Sequence, residues 1–190
     1  KIMTKDVKEA LNTCGRNMAL ITEENCLEIL YLAREEILQE IIMGMIDSLK
    51  DDSETIYEIF FRSNNTIVKL KALEKIHNQF FLKKIVLGEY VHGRDLLRMK
   101  SIGKIEDKKF LKELLKEKAI YERTAFLYKL SKQFEDKDLY EIITSDNYNF
   151  KIRLFFISKI RDRKYLEKII NESEDVELIT EAKFLLESLD

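Results

Sequence analysis

The side chains best suited to metal or nucleophilic chemistry are few in this 190-residue chain. They are two histidines, His77 and His92, and two cysteines, Cys14 and Cys26. Four such ligands could in principle hold zinc, but structural zinc sites usually take their ligands from closely spaced Cys or His pairs. No two of these four residues lie close in the sequence. The spacing therefore predicts no metal site and no cofactor.

Other catalytic signatures are also missing from the sequence. There is no glycine-rich phosphate loop, and Ser, Cys and His form no local nucleophile motif, although the partners of a triad need only meet in space. Carboxylates are plentiful, but most fall at outward positions of amphipathic helices, where a solvated face explains them. The prediction is a non-catalytic protein. An enzyme whose site is assembled from distant residues stays open as an alternative.

A second group of residues is suited to binding. Aromatic side chains beside lysines can hold a peptide segment that bears acidic or aromatic groups, or a nucleic-acid backbone with unstacked bases. The alternative is that the same flank packs on a neighbouring repeat and its aromatic rings are buried. The candidate partner-binding residues are Tyr31, Tyr57, Phe61, Lys83, Lys112, Lys116 and Tyr140.

A recurring apolar triplet defines the helices that would position this group. The first members of the triplets stand at 26, 56, 82, 111, 139 and 166, and a period of this size is typical of a helical repeat array. In a helix, positions i, i+3 and i+4 point inward, and positions i+1 and i+5 share the flank that holds the candidates. The triplets are Cys26/Ile29/Leu30, Ile56/Ile59/Phe60, Leu82/Ile85/Val86, Leu111/Leu114/Leu115, Leu139/Ile142/Ile143 and Leu166/Ile169/Ile170.

Composition restricts the fold class. Proline is absent and glycine occurs only five times, so short polar turns are what separates the helices. We expect an all-α fold of about thirteen helices, 9–15 residues long, arranged in antiparallel pairs within one domain spanning 1–190. Ser53, Asp107 and Asp162 stand where an N-cap would satisfy free backbone amides.

The predicted pairs resemble HEAT-type repeats, and the resemblance covers most of residues 23–189. In that family an aspartate or asparagine commonly lies in the turn inside each pair. A basic residue six positions later often bonds to the turn of the neighbouring repeat. Asn78 with Lys84, and Asp162 with Lys168, fit this pattern.

Other positions depart from the HEAT pattern. Asp107 is followed by Glu113 at that distance, Asp136 fits only loosely, and the proline common in the first helix is missing throughout. The resemblance implies an armadillo-like α-solenoid, a right-handed superhelix of about six antiparallel helix pairs. It also implies a binding scaffold, since members of the family are mostly of that kind.

The charge distribution supports a different partner. The net charge is −2, but residues 65–119 carry a net +7 between two acidic segments. A basic segment suits an anionic partner, although lysine-rich solvated faces would give the same count. The alternative function is therefore a nucleic-acid-binding array that uses residues 65–119. Alkylpurine DNA glycosylases are known in a HEAT-like fold, so such an enzyme is a sub-case.

Cysteine usage and hydropathy indicate where the protein works. Two cysteines form no disulfide framework, so a reducing cytoplasm is expected. No apolar run approaches the roughly 20 residues that span a bilayer, and residues 1–20 do not have the pattern of a signal peptide. The sequence thus favours a cytoplasmic scaffold that binds a protein or peptide along the concave face lined by the second helices. Closure of the helices into a globular bundle, and the oligomeric state, stay open.

Overall fold

A computed structural model describes residues 36–91 and 95–189. Within these ranges the chain forms twelve helices and no strand, so the all-α prediction is confirmed there. The helices predicted before residue 36, together with Tyr31, Cys14, Cys26 and His92, lie outside the described residues. The helices are α1 Glu36–Ser48, α2 Glu54–Arg62, α3 Thr66–Glu74, α4 Gln79–Leu87, α5 Asp95–Ile102, α6 Lys108–Leu114, α7 Lys118–Tyr121, α8 Thr124–Ser131, α9 Asp136–Ile143, α10 Phe150–Ile157, α11 Arg163–Glu172 and α12 Val176–Ser188.

Two features of the helices differ from the prediction. Several helices are shorter than nine residues, and α6 has only seven. The four-residue helix α7 was not predicted, because Ile120 is its one buried side chain and a single apolar residue gives no periodic signal. None of the helices in the described part of the chain is long and apolar enough to cross a membrane.

The recurring triplets form the core. All three members of the triplets that begin at Ile56, Leu82, Leu111 and Leu139 are buried, as are Leu166 and Ile169 of the last triplet. Each such side chain contributes roughly 1.5–3 kcal/mol when it is removed from water. The prediction that side chains at positions i, i+3 and i+4 point inward is therefore confirmed for the described triplets. Ile170 is only half-buried.

Asparagine or aspartate occupies the N-cap position of six of the twelve described helices. Asp107 accepts a hydrogen bond from Phe110 N (3.0 Å), and Asp162 accepts one from Lys164 N (2.9 Å), as predicted. Asn65 caps α3 and Asn78 caps α4 in the same way. Ser53 occupies the N-cap position of α2, but its side chain makes no capping hydrogen bond.

The helices group into two compact units, residues 1–104 and 105–190. In the first unit α2 packs on α3 and α4 on α5, while α3 also contacts α1 and α5. In the second unit α7 packs on α8, α9 on α10, and α11 on α12. Alternate helices of this unit also touch, in the combinations α8 with α10, α10 with α12, and α9 with α11.

The closest helix partners are not the two helices of one predicted pair. The second helix of a predicted pair lies closest to the first helix of the next pair, as α4 does to α5 and α9 to α10. One arginine strengthens each of these contacts. Arg98 Nε donates to Val86 O (2.8 Å), and Arg153 Nε donates to Ile143 O (2.6 Å). Each arginine thus donates a hydrogen bond to a backbone carbonyl in the last turn of the preceding helix. A cation at this end of a helix also interacts favourably with the helix dipole.

Aspartates link the turns of successive repeats. Asp52 Oδ1 accepts hydrogen bonds from His77 N (2.9 Å) and Asn78 N (3.3 Å) in the next turn of the first unit. In the second unit, Asp136 Oδ2 accepts in the same way from Arg161 N (3.0 Å) and from Asp162 N. A carboxylate from one turn therefore satisfies backbone amides of the turn that follows, about one repeat later in the sequence.

Removing the turn carboxylate of Asp52 should destabilise the first unit. We expect Asp52→Ala to lower the free energy of unfolding by about 1–2 kcal/mol, since two backbone amides lose a charged acceptor. The adjacent Asp51 is the matched control, because its contacts among the described residues are exposed: an ion pair with Lys75 (3.2 Å) and a contact with His77 Nε2 (3.1 Å). Urea denaturation of the two variants measures the difference. Equal destabilisation by Asp51→Ala would contradict the special role of Asp52.

The same link should be sensitive to acid. Partial burial acts to raise the pKa of Asp52, but hydrogen bonds from His77 N, the Tyr57 hydroxyl and Asn78 N outweigh it and lower the pKa. A carboxyl with a lowered pKa stabilises the fold above its ordinary pKa of about 4 and loses that contribution as the pH falls through the folded-state value. The stability difference between wild type and Asp52→Ala should therefore be complete at neutral pH and shrink in acid. A difference that does not change with pH would exclude the charged form as the source.

Candidate binding surfaces

One contact recurs between successive second helices and determines where the predicted flank lies. The residue at position i+1 of one triplet touches the residue at position i−1 of the next. The pairs are Tyr57 with Phe81 (ring centroids 4.9 Å apart), Lys112 Nζ with Asp138 Oδ1 (2.9 Å) and Tyr140 with Tyr165 (ring centroids 5.4 Å apart). The predicted i+1 flank therefore packs partly on the next repeat, and Tyr57, Lys112 and Tyr140 are half-buried.

In the first unit this contact forms the centre of an aromatic patch, which we define as Tyr57, Phe61, Phe81 and Tyr90. The Phe81 ring meets Tyr57 and Phe61 edge to face, the latter with centroids 5.7 Å apart, and stacks on Tyr90 with centroids 5.2 Å apart. Phe61 is 50% exposed and Tyr90 is 37% exposed, whereas Phe81 is buried beneath them. Edge-to-face and stacked contacts fix the rings in place, so the patch is an ordered apolar surface.

The turn after α4 brings Tyr90 onto the patch. Gly88 ends α4 with φ +87°, a left-handed backbone conformation that residues other than glycine rarely adopt. The chain then reverses, and Lys84 Nζ pairs with Glu89 (2.7 Å) beside the ring of Tyr90. Neither Tyr90 nor Phe81 was among the predicted partner-binding residues. The glycine that follows Leu87 is the signal that could have located this turn.

Polar groups hold one edge of the aromatic patch. The Tyr57 hydroxyl donates to Asp52 Oδ1 (2.7 Å), the carboxylate that also links the repeats. Partial burial and this hydrogen bond together raise the pKa of Tyr57 far above its ordinary value, so the hydroxyl stays protonated. Tyr57 is therefore anchored by its hydroxyl, and Phe61 offers the larger exposed surface.

In the second unit the same flank is ionic. Lys112 Nζ contacts Asp138 Oδ1 (2.9 Å) and Glu141 Oε2 (2.7 Å), and Lys108 Nζ contacts Asp138 Oδ2 (2.9 Å). Burial acts to lower the pKa of Lys112, but the hydrogen bonds that its ammonium group donates to Glu141 and Asp138 outweigh it and raise the pKa. These lysines are charged, and carboxylates from the next second helix neutralise them.

Lys116 and Tyr140 complete the predicted residues of the second unit. Lys116 Nζ pairs with Glu113 Oε1 (2.9 Å) and lies 5.8 Å from the centroid of the Tyr148 ring. The Tyr140 hydroxyl donates to Glu172 Oε2 (2.6 Å), which raises the pKa of the hydroxyl. Lysines and aromatic rings are thus already paired on this flank.

Tyr140 borders an open cleft of about 530 Å³ in the second unit. Arg153 bonds to Asp146 inside it (3.2 Å), and the remaining charged groups are carboxylates. In the described part of the chain, no group of His, Cys, Asp and Glu residues has the arrangement of a metal site. The cleft is lined by Tyr140, Thr144, Asp146, Arg153, Glu172, Ser173, Glu174 and Asp175.

The predicted partner-binding residues therefore fall into two separate groups. Tyr57 and Phe61 meet around Phe81 in the first unit, where Lys83 lies half-buried on α4. Lys112, Lys116 and Tyr140 belong to the second unit. The basic residues that the HEAT pattern picked out make other contacts: Lys84 pairs with Glu89 in its own turn, and Lys168 lies over the Tyr140 ring at 5.5 Å.

Comparisons with known proteins give no relative for this chain. No family model matches it, and neither the curated proteins nor the solved structures include a match. The resemblance to HEAT-type repeats therefore stays a prediction, and function has to be argued from these surfaces.

The Asp138 carboxylate should be the most important ion-pair partner on the flank of the second unit. Its side chain is only 14% exposed, and it accepts from Lys108, Lys112 and the backbone amide of Glu135 (3.2 Å). We expect Asp138→Ala to destabilise the protein by about 1–2 kcal/mol, because two ammonium groups and one amide lose their acceptor. Glu141→Ala, which removes one exposed partner of Lys112, should cost below about 1 kcal/mol. Thermal unfolding of both variants tests the ranking, and the reverse order would contradict it.

Proposed function

We propose that this protein is a non-catalytic scaffold that binds a peptide segment of a partner protein through its second helices. The proposal includes the predicted architecture, an α-solenoid in which successive helix pairs stack. Its main support is the aromatic patch, where two predicted residues of α2, Tyr57 and Phe61, both contact Phe81 on the next second helix, α4.

Packing within each unit supports a stacked arrangement. Alternate helices touch in both units, α1 with α3 and α3 with α5 in the first, α8 with α10 and α10 with α12 in the second. Contact between helices two apart is what results when helix pairs stack layer on layer. Asp52 in the first unit and Asp136 in the second unit each accept hydrogen bonds from backbone amides of the following turn.

The chemistry of the aromatic patch favours an apolar peptide. Large aromatic side chains at the centre of an interface carry most of its binding energy, and charged groups at its edge set orientation. Charged groups on these helices already have partners: Glu58 pairs with Arg62 (2.6 Å), Lys84 pairs with Glu89 (2.7 Å), and Asp52 accepts from the Tyr57 hydroxyl (2.7 Å). The exposed rings of Phe61 and Tyr90 would therefore meet aromatic or aliphatic side chains of the partner.

The nucleic-acid alternative at residues 65–119 has less support. Lys108 and Lys112 hold Asp138, and Lys116 holds Glu113. A lysine that already holds a carboxylate must lose that contact before it can neutralise a phosphate, so its gain on binding is smaller. The +7 count of that segment overstates the positive charge that a ligand would meet.

Selection from a random peptide library displayed on phage tests the proposal without a known partner. We expect enriched peptides to contain aromatic or aliphatic residues, and Phe61→Ala to weaken a selected peptide at least about tenfold. Fluorescence anisotropy with the synthetic labelled peptide measures the affinity. Phe61 is half-exposed, so its replacement should leave folding intact.

Ile67→Ala is the matched control, because Ile67 is an equally exposed apolar residue on a first helix. It should leave the affinity unchanged. Failure to enrich any peptide, or equal weakening by the Phe61 and Ile67 variants, would reject the aromatic patch as the binding surface.

A further inference from the structure

Two neighbouring helices of the second unit carry basic residues and no acidic residue. Helices α8 and α10 contact each other and, with the residues that directly follow them up to Lys132 and Lys159, contain no aspartate or glutamate. Charged residues make up 36% of the chain and its net charge is −2, so two packed helices without one acidic group stand out. Their basic residues are Lys129, Lys132, Lys151, Arg153 and Lys159.

Two of these lysines converge on an exposed ring. Lys132 Nζ lies 4.9 Å and Lys159 Nζ lies 5.6 Å from the centroid of Tyr128. Tyr128 is 52% exposed, and Lys159 also lies 5.0 Å from the centroid of Phe155. We define the cationic face as Tyr128, Lys132, Phe155 and Lys159.

The lysines of the cationic face differ from Lys112 of the second helix α6. Among the described residues, neither Lys132 nor Lys159 has a carboxylate within ion-pair distance, whereas Lys112 has two. Two like charges share one tyrosine ring instead. A ring quadrupole attracts cations only weakly at an exposed site, so an anion would gain the full attraction of both ammonium groups.

The combination of free cations and exposed rings indicates the class of ligand. Phosphates of a single-stranded nucleic acid can take the place of the ring as partners of the lysines. The face of Tyr128 that they leave can then stack on a base. An acidic peptide would satisfy Lys132 and Lys159 but would make no comparable use of Tyr128 and Phe155. Duplex nucleic acid keeps its bases stacked inside and offers only phosphates.

We propose that the cationic face binds single-stranded nucleic acid, with Lys132 and Lys159 on phosphates and a base stacked on Tyr128. This site belongs to the second unit, lies outside residues 65–119 in the sequence and shares no residue with the aromatic patch. It is therefore independent of the peptide-binding proposal, and either can fail without the other.

Fluorescence anisotropy with a short labelled oligothymidylate over a range of salt concentrations tests the site in the full chain. We expect binding that weakens with salt, and a double variant Lys132→Gln, Lys159→Gln whose salt slope is flatter by about 1.4, the effect of two single-strand phosphates. Tyr128→Ala should lose about tenfold in affinity, whereas Tyr128→Phe, which keeps the ring, should stay within about twofold.

The matched control removes the same charge elsewhere on the second unit. Lys109 and Lys137 are exposed on α6 and α9, so Lys109→Gln, Lys137→Gln changes the net charge equally without touching the cationic face. An equal loss in this control, or an oligothymidylate affinity that Tyr128→Ala leaves unchanged, would overturn the proposal. Tighter binding of a poly-glutamate peptide than of the oligonucleotide would also overturn it and assign the face to acidic proteins. All the changed side chains except the half-buried Lys159 are well exposed, and circular dichroism verifies that the variants fold.

Discussion

Burial of the apolar triplet is the constraint on which the rest of this structure depends. A helix of seven to ten residues buries only two or three large side chains of its triplet on one face, which is too little to hold it folded alone. Each triplet therefore needs neighbouring helices on more than one side, and the contacts between alternate helices supply them. The hydrogen bonds of Asp52 and Asp136 to the following turns then fix the spacing between neighbours.

The same spacing explains why the flank at position i+1 makes aromatic contacts in one unit and ion pairs in the other. Within each unit, helix packing brings position i+1 of a triplet against position i−1 of the next, whatever residues stand there. Tyr57 and Phe81 make this contact aromatic and leave Phe61 exposed above it, while Lys112 and Asp138 make it an ion pair. On this flank the first unit thereby presents an apolar surface, and in the second unit carboxylates neutralise Lys108 and Lys112. Lys132 and Lys159, which directly follow the first helices α8 and α10, lie instead over the ring of Tyr128.

The sequence predicted what depends on local periodicity and local capping. The triplets, the all-α class and the caps at Asp107 and Asp162 follow from spacing and from backbone amides that need an acceptor. It did not predict contacts that depend on which elements become neighbours. Tyr90 contacts Phe81 only because the chain reverses at Gly88. Lys112 is ion-paired only because Asp138 lies on the next second helix, one repeat away. Lys132 and Lys159 were not predicted, because the net charge of a sequence segment does not distinguish ion-paired lysines from lysines without a carboxylate partner.

The central claim is that the helices form an array in which each repeat is stabilised mainly by its immediate neighbours. Hydrogen–deuterium exchange on a Leu166→Ala variant tests this most directly, because Leu166 is fully buried in α11 and its truncation should cost about 2–5 kcal/mol. A nearest-neighbour array predicts faster amide exchange in α9 to α12 and unchanged protection in α2 to α4. An equal loss of protection in α2 to α4 would show one cooperative bundle and would contradict the array.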